Sequence, residues 1–506
     1  MVNENNKKIA KNTLLLYVRM LFSMGVSLYT SRVVLQVLGV ENFGIYNVVG
    51  GIITMISFIN GGMVSSTQRY ITFELGKGDV HQLHKVFITS VQIHLLISVV
   101  ILILAETIGL WFLLNKLVIP EDRLVSAIWV YECSIIACIV SIMSIPYNAA
   151  IIAHEKMSAF AYISIVDVVL KLLIVYLLLI IPFDKLIVYA ILMLSVQIII
   201  RFIFTNYCQK HFLESKYEHH VDLPLLKEMA SFAGWSFWGN LAGVLYTQGL
   251  NMMLNVYFGP LVNAARGIAV QVQTATQGFV TNFQMALNPQ ITKKFANQDL
   301  RNMHSLMFRS ARFSFFLLFF LTLPVLLETK FILEIWLKTV PDDTVTFIRI
   351  MILISLIYTT ANPCIVANQA TGKVKKYQMV VGGTLLTILP ISYLILELDA
   401  PAYSVFIVHF FVESIAQILR LYMLRNLINL SFLRYLRNVY VPIVSTVLLA
   451  CIFPTYVHFS IAEGLFRFIF VGFSCVFSTI VFVFMLGLTK NERTTIISNF
   501  ITRLKK

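Results

Sequence analysis

The sequence predicts an all-α polytopic membrane protein with about fourteen transmembrane helices, and three observations support this. Hydrophobic residues make up 58% of the 506-residue chain, charged residues 13%, and the mean hydropathy is +0.81. The apolar residues are gathered into segments of about 20 to 28 residues, long enough to cross ~30 Å of hydrocarbon. Because backbone polar groups in lipid must bond within their own segment, each segment is predicted to be a helix.

Short polar turns join the predicted spans and leave no room for a soluble catalytic domain. The longest polar connector, at about 209–228, is too short to enclose a core of its own. The first apolar run contains Arg19 and lacks a small-residue cleavage site, so we expect it to persist as a helix and not to be removed as a signal peptide. We place the spans at 11–38, 43–66, 86–114, 124–152, 157–181, 185–208, 230–257, 262–288, 304–327, 345–367, 376–396, 402–424, 438–459 and 465–488.

Basic residues fall mainly on alternate connectors. About two thirds of the Lys and Arg residues lie on one side, which a positive-inside bias assigns to the cytoplasm together with both termini. The opposite side carries Lys116, Arg123, Lys185, Lys330, Lys338 and Arg467. Because orientation accounts for most of the net charge of +14, we expect no nucleic-acid partner.

The chain contains an internal repeat. A shift of about 217 to 220 residues aligns the two halves through helices, loops and charges, as in transporters built from duplicated units. The matched pairs include Ile71 with Ile291, Asp79 with Asp299, His84 with His304, Ser90 with Ser310, Pro146 with Pro363 and Lys156 with Lys373.

We therefore predict three parts: an N-lobe at 1–215 with six helices, a C-lobe at 216–432 with six helices, and a C-terminal helix pair at 433–506. Because six is even, both lobes enter the membrane in the same direction, a parallel repeat typical of secondary transporters. The last two helices have no counterpart in the repeat.

The opening stretch from Lys11 to Ile52 carries the pattern LG-x-x-x-[FY]-G-x-Y, in which Leu38 and Gly39 precede Phe43, Gly44 and Tyr46. This stretch resembles bacterial O-antigen and polysaccharide repeat-unit flippases of the Wzx type, in the multidrug/oligosaccharidyl-lipid/polysaccharide exporter superfamily. The resemblance also covers the span count, the duplicated lobes and the two extra C-terminal helices, although its sequence-specific part lies mostly in the first two spans.

The resemblance implies a function. A protein of this type transfers an undecaprenyl-pyrophosphate-linked oligosaccharide from the cytoplasmic to the periplasmic leaflet of the bacterial inner membrane by alternating access. The product serves surface polysaccharide, either capsule or the O-antigen of lipopolysaccharide. The partners implied are this lipid-linked substrate, a polysaccharide polymerase and glycan-assembly proteins, and the chain is not expected to be an enzyme.

Polar residues recur at helical spacing in the first, second, seventh and eighth predicted spans. The seventh contains Asn240 and Asn251. The eighth contains a stripe of Arg266, Gln273, Gln277, Thr281, Gln284 and Asn288. Polar groups facing lipid would go unsatisfied, so we predict that these spans line a central substrate cavity, an arrangement that the resemblance also implies. The alternative is that the polar side chains bind neighbouring helices to one another.

Arginines within the spans are the candidate ligands for a pyrophosphate group. An Arg near the bilayer centre costs ~2.5 to 3.5 kcal/mol on insertion scales, and a guanidinium binds phosphate oxygens in pairs. Arg19 and Arg266 are the first candidates, followed by Arg32 and Arg69. The alternative is snorkelling, in which a long side chain reaches the nearer interface.

Three further charged residues are candidates for ion coupling. Asp167 and Lys171 are four apart in the order that favours an ion pair on one helix face, and Glu132 is an isolated acid within a span. The pair could equally be structural. No metal, nucleotide or nucleophile motif is found, the six cysteines show no pairing pattern, and we expect no cofactor.

Two alternative functions remain open. A multidrug cation antiporter of the same superfamily would need acidic residues in its cavity, whereas the polar stripes carry arginine and no Asp or Glu. A polytopic glycosyltransferase or polymerase would need acidic or long external loops, and the external connectors are short.

Overall fold

The computed structural model describes residues 2–57, 61–115, 119–216, 222–258, 260–337, 340–494 and 497–498, and the regular structure of these residues is entirely helical. The first half contains α1 (Val2–Ser57), α2 (Gly61–Lys77), α3 (Val80–Leu104), α4 (Leu110–Asn115), α5 (Leu124–Ala153), α6 (Met157–Ile180), α7 (Lys185–His211) and α8 (Leu223–Phe258). The second half contains α9 (Pro260–Ala296), α10 (Leu300–Leu327), α11 (Thr329–Leu337), α12 (Thr344–Ala370), α13 (Val374–Tyr377), α14 (Gly383–Leu386), α15 (Ile388–Glu397), α16 (Ser404–Ile428), α17 (Phe432–Tyr435), α18 (Val441–Ser460) and α19 (Leu465–Phe482).

Four short π-helical segments continue these helices without a break in the chain path. They are Ala105–Gly109, Gln378–Gly382, Leu436–Tyr440 and Val483–Gly487. Because each follows directly on an α-helix, α3 with α4, α13 with α14, and α17 with α18 act as single long segments.

Ten helical segments of the described residues are long and apolar enough to cross a membrane. They coincide with the predicted third to sixth and ninth to fourteenth spans. The other four predicted spans lie in α1, α2, α8 and α9, where polar residues lower the hydropathy. The prediction of an all-α membrane protein with about fourteen spans is confirmed.

The predicted turn between the first two spans, near 39–42, is wrong. The first helix continues through it to Ser57. No proline interrupts the backbone hydrogen bonds there, an isolated glycine is tolerated in a helix, and the Asn42 side-chain amide donates to the Leu38 carbonyl at 3.0 Å.

The chain forms two compact units, Met1–Asn240 and Leu241–Lys506, with the boundary inside α8. In the first unit, Val49, Tyr131 and Leu186 belong to a buried cluster between α1, α5 and α7. In the second, Leu318 and Phe347 belong to a larger cluster between α10, α12 and α16. The three-part division at 215 and 432 stays a prediction.

The two units repeat the same helix start. Asp79 begins α3 by accepting a hydrogen bond from the Gln82 backbone N–H at 2.9 Å, and Asp299 begins α10 by accepting one from the Asn302 N–H at 3.3 Å. The preceding residues are both left-handed, Gly78 at φ +80° and Gln298 at φ +55°.

A matched histidine contact is also present in both units. In the first, His84 Nδ1 lies 3.1 Å from the Glu214 carbonyl oxygen, and in the second, His304 Nε2 lies 3.0 Å from the Ile428 carbonyl oxygen. Each contact ties the helix after the capped turn to the chain at the end of that repeat, where Glu214 follows α7 and Ile428 is the last residue of α16. These equivalent bonds are what a duplicated unit predicts.

The C-terminal region is fastened to α10 at two places. Near the middle of α10, buried Arg312 donates to the Gly487 carbonyl at 3.1 Å and to the Glu492 carboxylate at 2.9 Å, both in the segment after α19. At the C-terminal end of α10, buried Glu328 accepts from Arg467 of α19 at 2.9 Å and lies 2.8 Å from His458 of α18. The helix pair is therefore packed as part of the second unit.

We predict that Asp299→Ala lowers the free energy of unfolding by about 1 kcal/mol at neutral pH, because α10 loses its cap. Hydrogen bonds from Asn302 and Lys294 hold the pKa of the Asp299 carboxyl below its usual value. A depressed folded pKa means that the contribution is complete above about pH 4 and is lost as the pH falls through the folded pKa. Thermal unfolding in detergent as a function of pH measures it, and equal destabilisation by Asn297→Ala in the same turn would contradict the assignment.

Candidate functional site

Arg266 joins α9 to α8 in the second unit. Its Nη1 donates to Asn251 Oδ1 at 2.9 Å, and its Nη2 donates to the Thr247 carbonyl oxygen at 2.9 Å. The side chain is partly exposed. The structure thus brings together two residues, Arg266 and Asn251, that the sequence placed separately on two polar stripes.

Both partners of Arg266 are neutral. No carboxylate of the described residues forms an ion pair with this guanidinium, and its Nε is buried without a hydrogen-bond acceptor. Arg420 and Arg312 differ, because Glu413 and Glu492 balance their charges at 2.7 and 2.9 Å. Because its partners are neutral, the positive charge of Arg266 is not compensated. Because a guanidinium has five N–H donors and two are used here, donors remain for an anion.

The two predicted cavity glutamines hold α9 against α12. The amide nitrogens of Gln273 and Gln277 both donate to Ser355 Oγ, at 2.8 and 3.0 Å. Two turns further along α9, Gln284 donates to Ser314 Oγ at 3.0 Å. These contacts are the helix-packing alternative given for the stripe. Gln273 and Gln277 remain partly exposed, so their assignment to a cavity stays a prediction.

The accessible polar face of α9 lies beside this stripe. Gln271, Thr274 and Thr281 are exposed, and the two threonine hydroxyls bond only to carbonyls of their own helix. Sequence reasoning placed Thr281 on the same stripe as the buried Gln284. The spacing of polar residues therefore identified the helix but not which of its faces is open.

Arg19 lies in α1 of the first unit, partly buried. Its guanidinium carbon is 4.9 Å from the centroid of the Phe160 ring in α6. A guanidinium over an aromatic face is stabilised by the ring quadrupole. Arg19 is therefore oriented by α6, and its assignment as a phosphate ligand stays a prediction.

Arg69 lies in α2 among three aromatic rings. Its guanidinium carbon is 4.3 Å from the Tyr70 ring centroid, 4.8 Å from that of Phe73 and 5.5 Å from that of Phe232. Beside these residues is a cavity of about 510 Å³ that Lys77, Glu74, Asp79 and Glu228 also line.

This cavity was not predicted from the sequence, although the run from Arg69 to Lys77 mixes basic, aromatic and acidic residues. The Tyr70 hydroxyl donates to Glu228 at 2.9 Å. Because carboxylates offset the basic side chains, the cavity is less suited to an anion than the surroundings of Arg266. The side chains of Arg32 and Asn240 lie outside the part of the structure that is described.

The candidate coupling residues lie in the first unit. Lys171 Nζ donates to Asp167 Oδ2 at 2.7 Å within α6, so the ion pair expected from the spacing is present. Glu132 on α5 lies near a second acid, Glu106, in the π-helical segment after α3. A role in ion coupling stays a prediction for all three residues named from the sequence.

Comparison with protein families gives one match. The profile of the family described as "Polysaccharide biosynthesis protein" matches residues 9–295. This region includes α1 and α9, and so it contains both first-choice arginines. No curated protein matches the sequence.

Several solved structures have a similar fold. A multidrug resistance MATE family transporter of the MOP superfamily, in an outward-facing conformation, has a TM-score of 0.71 and 14% identity, covering 84% of this chain and 96% of that one. A MATE structure in a bent conformation has a TM-score of 0.71 and 13% identity over the same shares. A MOP superfamily transporter from Pyrococcus furiosus, described as having a binding pocket of reverse polarity that suggests a different function, has a TM-score of 0.66 and 14% identity, covering 83% and 96%. These likenesses establish the fold.

We predict that Ser355→Ala destabilises the protein by about 1 kcal/mol, because two glutamine amides lose their shared acceptor between α9 and α12. Thermal unfolding in detergent micelles measures the loss. Thr274→Ala is the matched control, since its hydroxyl is exposed and bonds only within α9. A Ser355→Ala protein as stable as the control would show that these amides do not fasten the helices.

Proposed function

The chain belongs to the polysaccharide biosynthesis protein family, and we propose that it is a flippase for a lipid-linked oligosaccharide. In this proposal an undecaprenyl-pyrophosphate-linked repeat unit crosses the bacterial inner membrane by alternating access, to supply O-antigen or capsule synthesis. Both termini lie in the cytoplasm, and a polymerase with glycan-assembly proteins uses the product. Family and fold are those of transporters.

The observation that carries the proposal is the uncompensated charge of Arg266. A pyrophosphate is a polyanion, and a guanidinium can bind two of its oxygens at once. Asn251 and the Thr247 carbonyl hold Arg266 from α8 without neutralising it. Nη1 and Nη2 each keep one further N–H, and because the side chain is partly exposed these two donors are available to phosphate oxygens.

A glycan needs a wet and uncharged surface as well as an anion site. Gln271, Thr274 and Thr281 supply one on the same helix as Arg266. Hydroxyl and amide groups can exchange hydrogen bonds with sugar hydroxyls at little cost, because water makes similar bonds when the sugar is absent. This arrangement supports a substrate that combines a phosphate with a sugar.

Multidrug cation antiport is the second candidate, favoured by the likeness to a multidrug resistance MATE transporter. A cation site would need an acid that is not already neutralised. In the second unit, the buried Glu413 is paired with Arg420 at 2.7 Å, which argues against that acid as a cation site. The description of the Pyrococcus furiosus transporter likewise relates pocket polarity to function within this superfamily.

We predict that Arg266→Ala reduces glycan export about 10- to 100-fold, the range expected for charge-assisted hydrogen bonds. Arg266→Lys should restore only part of it, since a lysine keeps the charge but loses the fork. The measurement is surface polysaccharide in cells whose only copy is the variant, with accumulated lipid-linked repeat units and protein abundance determined in parallel.

Arg425→Ala is the matched control, because Arg425 is exposed on α16 of the same unit. Full export by Arg266→Ala at normal abundance would remove the arginine from the site. Altered drug susceptibility on deletion, with unchanged surface glycan, would favour the antiporter instead.

A further inference from the structure

Three lysines form an exposed cluster in the second unit, at the turn between α12 and α13. The lysine cluster consists of Lys373, Lys375 and Lys376. It follows Gly372, whose left-handed backbone at φ +75° reverses the chain after α12. Three of the four residues at 373–376 are thus lysines.

The opposite side of this turn is anchored in the protein interior. Val374 and Tyr377 alternate with the lysines and are 2% and 3% exposed. The Tyr377 hydroxyl accepts a hydrogen bond from Arg420 Nε at 3.3 Å, and Arg420 is paired with Glu413. The backbone that carries the lysine cluster is therefore held in place by buried side chains of the second unit.

A cavity of about 460 Å³ lies against the cluster, and Met379 and Val380 form the rest of its wall. One candidate span ends at Ala370 and the next begins at Val374, so the lysines lie at a membrane surface. Met379 lies ~7.5 Å beyond Val374 along the span Val374–Glu397, by the helical rise per residue. The cavity thus has a cationic rim at the surface and an apolar wall directed into the bilayer.

We propose that this cavity binds an anionic phospholipid of the surrounding bilayer. The headgroup phosphate lies on the lysine cluster, and the start of an acyl chain packs on Met379 and Val380. Free phosphate would gain nothing from the apolar wall, and a zwitterionic lipid would gain little from the three charges. Basic pockets beside membrane helices recognise anionic headgroups in this way.

The first unit contains the same turn without the extra lysines. There Glu155, left-handed at φ +58°, precedes Lys156 and Met157, and Ser158 and Ala159 follow. In the internal repeat these last two positions correspond to Lys375 and Lys376. The turn therefore folds without the added charge, so the two lysines have a function other than forming it.

The test is a double variant that copies the first unit into the second, K375S/K376A. Purified full-length protein in detergent is titrated with phosphatidylglycerol or phosphatidylcholine, and bound lipid is counted by native mass spectrometry. Each lysine near an anionic headgroup contributes ~1 kcal/mol to binding. Because 1.4 kcal/mol corresponds to a tenfold change in affinity, removing two lysines should weaken phosphatidylglycerol binding about 20- to 30-fold. Phosphatidylcholine binding and thermal stability without lipid should not change.

A charge-matched variant separates the site from overall charge and from topology. K375S/K376A/S158K/N297K has the same net charge as the natural protein, with lysines moved to turns that the proposed topology places on the same membrane side, and it should bind phosphatidylglycerol as weakly as the double variant. Binding at the natural level by either variant overturns the proposal. So does equal affinity for phosphatidylcholine, or displacement of phosphatidylglycerol by inorganic phosphate at equal concentration.

Discussion

Inside a bilayer, the protein must itself supply partners for its backbone polar groups and for its charged side chains, because hydrocarbon supplies none. The helices pair the backbone polar groups, and ion pairs neutralise many of the charged side chains. Glu413 with Arg420 lies within α16, whereas Arg312 and Glu328 each join α10 to the terminal helix pair. Such pairs contribute little net stability when desolvation is counted, but a broken one leaves a buried charge, so they favour one packing arrangement. Within the described part of the chain, Arg266 lacks such a pair and is held by neutral groups, which is a reason to connect that residue with a ligand.

Comparison of the two repeated units distinguishes features that both units need for folding from features that one unit has added. The aspartate caps and the histidine contacts occur at matched positions in both units, so they serve the common helical scaffold. The lysines at 375 and 376 and the fastened terminal helices occur in the second unit only. Since both units use the same turn between equivalent helices, the two lysines are a change of surface chemistry on an unchanged backbone, whereas the terminal helices are an added pair of elements.

The ninth helix shows why a polar stripe is ambiguous. Gln273 and Gln277 bind Ser355 across a helix contact, while Thr274 and Gln271 face outward from the same helix. A side chain that bonds to a neighbouring helix and one that meets water obey the same 3.6-residue period, so their spacing alone does not distinguish the two environments. The residues of the candidate site were thus found on the right helices, but their partners, Thr247 and Ser355 among them, were not.

Hydropathy, segment length and the repeat were enough to determine the all-α membrane fold, the number of spans and the duplication, because in lipid each helix satisfies its own backbone and local composition decides where it lies. The Asp167 and Lys171 pair was also foreseeable, since its two members are one helical turn apart. Only the tertiary structure decided that α1 runs unbroken past Asn42, that Asn251 holds Arg266, and that Glu328 meets Arg467. These contacts join residues that are far apart in the sequence. They form only when packing brings the helices together, so the local sequence around each residue does not predict its partner.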